Sequence, residues 1–257
     1  MAVEQVMLCI EGLRKNYGAV AALQGVDIEV RRGEVMGLIG PNGSGKSTLF
    51  DCCTGLQKSD AGRVLLKGVD ITGWPMNRIA REGRFLRSFQ KTVVFPTLDS
   101  EENLVLAGQM SRFPSVLSTF WVGPAAQRRV KELRARAREL IEVTGLARVA
   151  HLPAGHMSGG QQKLLQFASM LMPEPELILL DEPLAGINPV LIEKVIECIE
   201  HANQKLGVTF VVIEHNTDVL MNLSHRVVVL HQGAKLADDT PEAVVRNPAV
   251  IEAYLGG

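Results

Sequence analysis

Short apolar runs recur along the chain, and between them the apolar residues fall into a spacing of three and four. Residues 6–10, 26–30 and 35–39 read as strands. The last (VMGLI) has no polar position, as a strand covered on both faces requires. A helix is predicted from Lys46 toward Thr54. A turn at 60–63 precedes Val64-Leu65-Leu66, residues 67–70 form a hairpin or loop, and 85–90 is a short strand. From 96 to 157 the pattern turns helical, over 101–108 and 125–144, with Val130, Leu133, Ala137, Leu140 and Ile141 on one face. After Gly159 the chain alternates: helix to 172, strand 177–180, helix 189–206, strand 208–213, helix 217–223, strand 227–230. Such alternation predicts an α/β fold, a mostly parallel sheet covered by helices with a helical stretch inserted into it.

Composition narrows this little. The chain has 257 residues, 46% of them hydrophobic, which is enough for a substantial core. A net charge of -1 argues against a nucleic-acid partner, since nucleic-acid binders carry a clear basic excess. Arg128, Arg129, Lys131, Arg134, Arg136 and Arg138 share one helix, but Glu132, Glu139 and Glu142 are interleaved, and a solvated face accounts for them better than a basic groove. Cys9, Cys52, Cys53 and Cys198 form no C-x-x-C pair and read as reduced thiols of a cytosolic protein. The first residues lack the features of a signal peptide, and no apolar stretch approaches membrane-spanning length. Work at a membrane would therefore be done from one side, through a partner.

Residues 40–48 read GPNGSGKST and fit G-x-x-x-x-G-K-[ST] between a strand and a helix. Triphosphate oxygens need many donors at close range. Gly40, Gly43 and Gly45 let the backbone curl so that successive N–H groups, those of Asn42 and Ser44 among them, line one concavity, with Pro41 part of the same loop. The helix start adds partial positive charge. Lys46 supplies a point charge to the β- and γ-phosphates, Ser47 a ligand for Mg²⁺, and Thr48 a contact to the α-phosphate. No N-K-x-D segment reads a guanine base, which favours ATP. Residues 177–182 (LILLDE) end a buried strand on two acids: Asp181 suits Mg²⁺, and Glu182 suits the attacking water.

Residues 157–162 read MSGGQQ, a second small-residue cradle at a helix start, upstream of Asp181. Here the sequence resembles the ATP-binding cassette (ABC) ATPases, whose signature is usually L-S-G-G-Q. The resemblance implies that Ser158, Gly159, Gly160 and Gln161 clamp the ATP of another subunit in a head-to-tail dimer. It implies that Tyr17 stacks on adenine, that Gln90 contacts Mg²⁺ and water and relays to a membrane partner, and that His215 contacts the γ-phosphate. One departure is Asn188 in PLAGINP, where many cassettes carry aspartate; it predicts altered coupling between the two sites.

The resemblance covers nearly the whole chain and implies one cassette domain. Residues 1–95 and 160–257 would form the nucleotide-binding core, a P-loop NTPase fold with an N-terminal antiparallel β subdomain. Residues 96–159 would form the inserted α-helical subdomain, with the signature at its end. AGINP, the ending NPAVIEAYLGG and an insertion around 109–127 look like the longer of the two paired ATPase subunits of branched-chain amino acid importers. That likeness implies transmembrane permease subunits, a second ABC ATPase subunit (more readily a heterodimer than a homodimer) and, indirectly, a solute-binding protein outside the membrane. It places the chain at the cytoplasmic face of the cell membrane. Importers of urea, amides or other carboxylated solutes share these features, and a soluble iron–sulfur assembly ATPase of similar size is the alternative of a different class. The insertion, with Phe113, Phe120 and Trp121, reads as a pad on the helical subdomain or as a contact to permease or membrane.

Overall fold

The computed structural model describes residues 5–88, 93–112 and 124–255. The expected α/β architecture is present as two sheets with helices. Strands β1 (Val6–Tyr17), β2 (Val20–Arg31), β4 (Ala61–Leu66) and β5 (Val69–Asp70) form an antiparallel sheet in the order β2-β1-β4-β5. Strands β3 (Val35–Ile39), β6 (Phe85–Arg87), β7 (Leu177–Asp181), β8 (Thr209–Ile213), β9 (Arg226–His231) and β10 (Ala234–Asp239) form the second sheet, in the order β10-β9-β3-β8-β7-β6. It is parallel throughout except for β10, which runs antiparallel to β9.

The central strands explain their own apolar runs. Every residue of β3, β7 and β8 is buried, so their faces are apolar and polar side chains stand only at strand ends, at Asp181 and Thr209. The helix Lys46–Cys53 turns Leu49, Phe50, Cys52 and Cys53 into a core shared with Leu13, Val26 and Ile28 of the antiparallel sheet and Leu38, Leu179 and Val228 of the parallel one. Burial raises the thiol pKa of Cys52 to about 11, and all four cysteines are free.

The structure extends what the pattern predicts in three places. Strands β1 and β2 run for 12 residues each, beyond the apolar stretches 6–10 and 26–30. Their polar halves pair with each other across a register shift at Gly12, whose N–H meets Asp27 Oδ1 at 2.6 Å. Residues Met76–Gly83 form a short helix that buries Ile79 and lays Arg78 over the Trp74 ring at 3.5 Å. Beyond Leu230, where the periodicity predicts no element, lie β10 and the helices Pro241–Arg246 and Pro248–Leu255. The first of these is capped by Thr240 with Pro241 at its first position.

The chain divides into two compact units, residues 1–88, 176–182 and 203–257 in one and 89–175 with 183–202 in the other. In the second unit the helix Pro124–Val143 packs on Ser100–Arg112 and Gly159–Leu171 through Leu133, Ala137, Leu140 and Ile141. Gly108 permits the close approach, since a Cβ there would lie 2.6 Å from Leu133 Cδ2. The basic face is engaged in part: Arg138 meets Glu101 at 2.8 Å, and Arg136 donates to the Leu171 carbonyl at 2.9 Å. Among the described residues, no helix is long and apolar enough to cross a membrane. The insertion 113–123 lies outside the described residues.

Phe210 is fully buried in β8, beside the strand that carries the glycine loop. Phe210→Ala should cost about 3–5 kcal/mol, seen as a lower urea midpoint with an unchanged slope. A loss below about 1 kcal/mol would contradict the buried position of β8.

Candidate functional site

The loop 40–45 lies between the carboxyl end of β3 and the helix Lys46–Cys53. Gly45 occupies the N-cap in the left-handed region, at φ 101°, and no side chain caps the helix. The first amides of the helix are therefore left to an anion. Glycine is required here for a second reason: a Cβ on Gly45 would stand 2.5 Å from the Ala22 carbonyl oxygen, and one on Gly40 2.1 Å from that of Leu230. The Ser44 N–H donates to Pro41 O (3.1 Å), and Gly233 N–H donates to Ser44 O (3.1 Å). The turn between β9 and β10 thus fixes the loop from outside.

Lys46 folds back over this loop, its Nζ donating to the carbonyls of Gly40 (2.7 Å) and Pro41 (3.0 Å). Burial lowers its pKa, while the carboxylates of Glu182 and Asp181 pull the other way. That influence brings the two sequence motifs together. Ser47 and Thr48 follow in the first turn of the helix.

Asp181 and Glu182 diverge at the end of β7. The Asp181 N–H donates to Ser88 Oγ (2.9 Å), and its carboxylate receives Arg87 Nη2 at 2.9 Å. Glu182 adopts φ 51°, a left-handed conformation that costs a side-chain-bearing residue about 1–3 kcal/mol. Its N–H continues the pairing with β8 by donating to Ile213 O (2.9 Å), and the twist swings the carboxylate to His215, 2.9 Å from Oε1 to Nε2. The His215 side chain is 61% exposed, so it is open to a ligand. Tyr17 ends β1 with its ring 46% exposed and the Lys15 ammonium 5.5 Å from the ring centre.

The first unit therefore gathers the loop 40–45, Lys46, Asp181, Glu182 and His215. Ser158, Gly159, Gly160 and Gln161 lie in the second unit and start the helix Gly159–Leu171. Ser158 and Gln161 form a reciprocal cap: the Ser158 N–H meets Gln161 Oε1 at 2.9 Å, and Gln161 N–H meets Ser158 Oγ at 3.3 Å. A Cβ on Gly159 would meet only open space, whereas one on Gly160 would strike Leu191 at 2.2 Å. Asn188 is exposed, and its carbonyl starts the helix Pro189–Leu206 by accepting from Leu191 N–H (2.8 Å). Gln90 lies outside the described residues.

Sequence reasoning missed two contributors. Arg87, near the expected Gln90 motif, reaches both Asp181 and Asp51, and a lone arginine closing an apolar strand was the available signal. Burial raises the phenol pKa of Tyr254, in the C-terminal helix, and the Gly40 backbone opposes that rise. A cavity of about 560 Å³ separates residues 41–44 of the loop from Ala249, Glu252 and Ala253 of the same helix.

A strand, a glycine loop and a helix, with two acids at the end of β7, one strand removed from β3 in the same sheet, define a P-loop nucleoside triphosphatase. The ABC transporter family matches residues 23–185, and the branched-chain amino acid ATP-binding cassette transporter family matches residues 234–257. The chain is 37% identical to the high-affinity branched-chain amino acid transport ATP-binding protein BraF of Pseudomonas aeruginosa, over 97% of this chain and 98% of that one. It is 35% identical to LivG, the protein of the same description in Escherichia coli K12, over 99% of each. Among solved structures, the ADP conformation of MJ1267, an ATP-binding cassette of an ABC transporter, aligns with TM-score 0.83 and 33% identity over 98% of this chain and 99% of that one. The dimeric post-hydrolysis cassette MJ0796 with ADP and Pi aligns with TM-score 0.74 and 25% identity over 91% and 99%. The chain belongs to the ABC transporter family of ATP-binding subunits, and it binds and hydrolyses ATP.

Gly45→Ala should weaken binding of a fluorescent ATP analogue at least about tenfold, because the left-handed backbone and the Ala22 carbonyl both oppose a methyl group. Affinity within about twofold of the parent would show that the loop shape is not what holds the triphosphate.

Proposed function

We propose that this chain is the ATP-hydrolysing subunit of an importer for branched-chain or closely related amino acids. The observation that carries this finer reading is the match of residues 234–257 to the branched-chain family, in a segment that also lines a cavity with the phosphate loop. That match favours transport over a soluble assembly role. The chain would work peripherally at the cytoplasmic face of the membrane, on permease subunits. It would pair with a second ABC ATPase, more readily a related subunit than its own copy, and would serve a solute-binding protein indirectly.

The chemistry follows from the residues in place. The loop amides receive the triphosphate, and Lys46 exchanges the Gly40 and Pro41 carbonyls for β- and γ-phosphate oxygens. Tyr17 offers an exposed ring to adenine. Water attacks the γ-phosphorus while Glu182 takes its proton. The bond to the β-phosphate oxygen breaks, and ADP and inorganic phosphate leave. His215 holds the Glu182 carboxylate and faces the charge that develops. The hydroxyl of Ser47 and the carboxylate of Asp181 are hard oxygen donors, the kind Mg²⁺ prefers, and with Gln90 they would hold it. Bound there, Mg²⁺ would supply positive charge to offset that of the phosphate oxygens. Ser158, Gly159, Gly160 and Gln161 would close on the partner's ATP, with the self-satisfied cap presenting the helix start already formed.

Two experiments test this. Glu182→Gln should keep ATP affinity, lower turnover by at least about 10²-fold and accumulate a closed dimer in gel filtration; near-normal turnover would remove Glu182 from its role. In proteoliposomes with its co-purified permease, ATPase should rise when the binding protein carries leucine, isoleucine or valine. Stimulation by urea or an amide alone would reassign the solute, and recovery of soluble partners only would reject transport.

A further inference from the structure

Arg87 joins three elements of the nucleotide site. It ends β6, and its guanidinium contacts Asp51 from the helix after the glycine loop and Asp181 from the end of β7. The Arg87 and Asp181 side chains are 7% and 6% exposed, and Asp51 is 23% exposed. The adjacent Ser88, just past β6, accepts the Asp181 N–H, so two consecutive residues hold both the backbone and the carboxylate of Asp181. Two carboxylates at this depth repel unless a cation lies between them. A planar, forked guanidinium can serve both at once, which a lysine ammonium on a single stem does less well.

We infer that Arg87 is a positioning residue that acts as a built-in counter-cation for Asp181, holding its carboxylate and keeping free divalent metal off it until nucleotide brings further oxygen ligands. The inference rests on the proposed role of Asp181 as a metal ligand. Guanidinium and metal compete for one carboxylate. With phosphate oxygens present, the metal gains ligands that the guanidinium cannot use, and the balance tips. Asp51 sets the strength of this restraint by sharing the positive charge. Without Asp51's charge, more of the Arg87 positive charge falls on Asp181.

The test is Mn²⁺ binding to the nucleotide-free full-length chain, read from the electron paramagnetic resonance signal of free Mn²⁺. Arg87→Gln should tighten Mn²⁺ binding at least about tenfold, because it removes a positive charge in contact with the ligand. Asp51→Asn should weaken it at least about threefold, by the same electrostatic reasoning with the opposite sign. Opposite signs support the counter-cation; a purely structural Arg87 predicts that both variants weaken binding or leave it unchanged, and either result overturns the inference. If Arg87→Gln does not fold, Arg87→Met, which removes the charge and keeps an unbranched stem, should tighten binding in the same sense, and no tightening rejects the proposal. Asp181→Asn separates the two readings. Mn²⁺ binding that survives it removes Asp181 from the metal site, whereas loss of binding there with no Arg87 effect rejects only the counter-cation.

Discussion

The loop 40–45 takes its shape mainly from other backbone, and the side chain bonded to it, Lys46, is itself a cation at hand for phosphate. Gly233 N–H holds the Ser44 carbonyl, and Pro41 O holds the Ser44 N–H. The carbonyls of Leu230 and Ala22 approach so closely that Gly40 and Gly45 admit no Cβ. These contacts come from β2 and from the β9–β10 region, that is, from both sheets. The cradle therefore depends on the two sheets sharing one core, and that core depends on the uninterrupted apolar runs of the central strands. Because the loop shape is fixed in advance, little reorganisation is left to be done when charge develops on a phosphate.

The acids at the end of β7 show how one backbone change separates two functions. Asp181 ends the strand with its amide on Ser88 and its carboxylate on Arg87. One residue later the chain turns left-handed, and Glu182 meets His215 instead. Neighbouring carboxylates are thereby aimed at different partners, one at a guanidinium and one at an imidazole.

Much of this was legible in the sequence because it depends on local features. The glycine loop, the buried runs ending in Asp-Glu, and the cap Ser158-Gly159-Gly160-Gln161 each state their geometry within a few residues. Strands β1 and β2 were read short because their outer halves are polar and are held by cross-strand pairing, which periodicity does not report. Strand β10 was missed because its pairing with β9 spans a two-residue turn in an otherwise mixed stretch. Arg87 and Tyr254 were missed for a deeper reason. Arg87 meets partners 36 and 94 residues away, and Tyr254 meets Gly40 from the far end of the chain. Nothing in their local sequence records those neighbours.

The left-handed backbone at Glu182 also bears on how this protein tolerates change. Glycine or asparagine adopts that conformation at lower cost than glutamate, so either would relieve local strain while deleting the carboxylate beside His215. At this one position, thermal robustness and turnover pull in opposite directions. A library sorted only for heat resistance would enrich substitutions at 182 that leave a well-folded, ATP-binding protein without the carboxylate proposed to act on water.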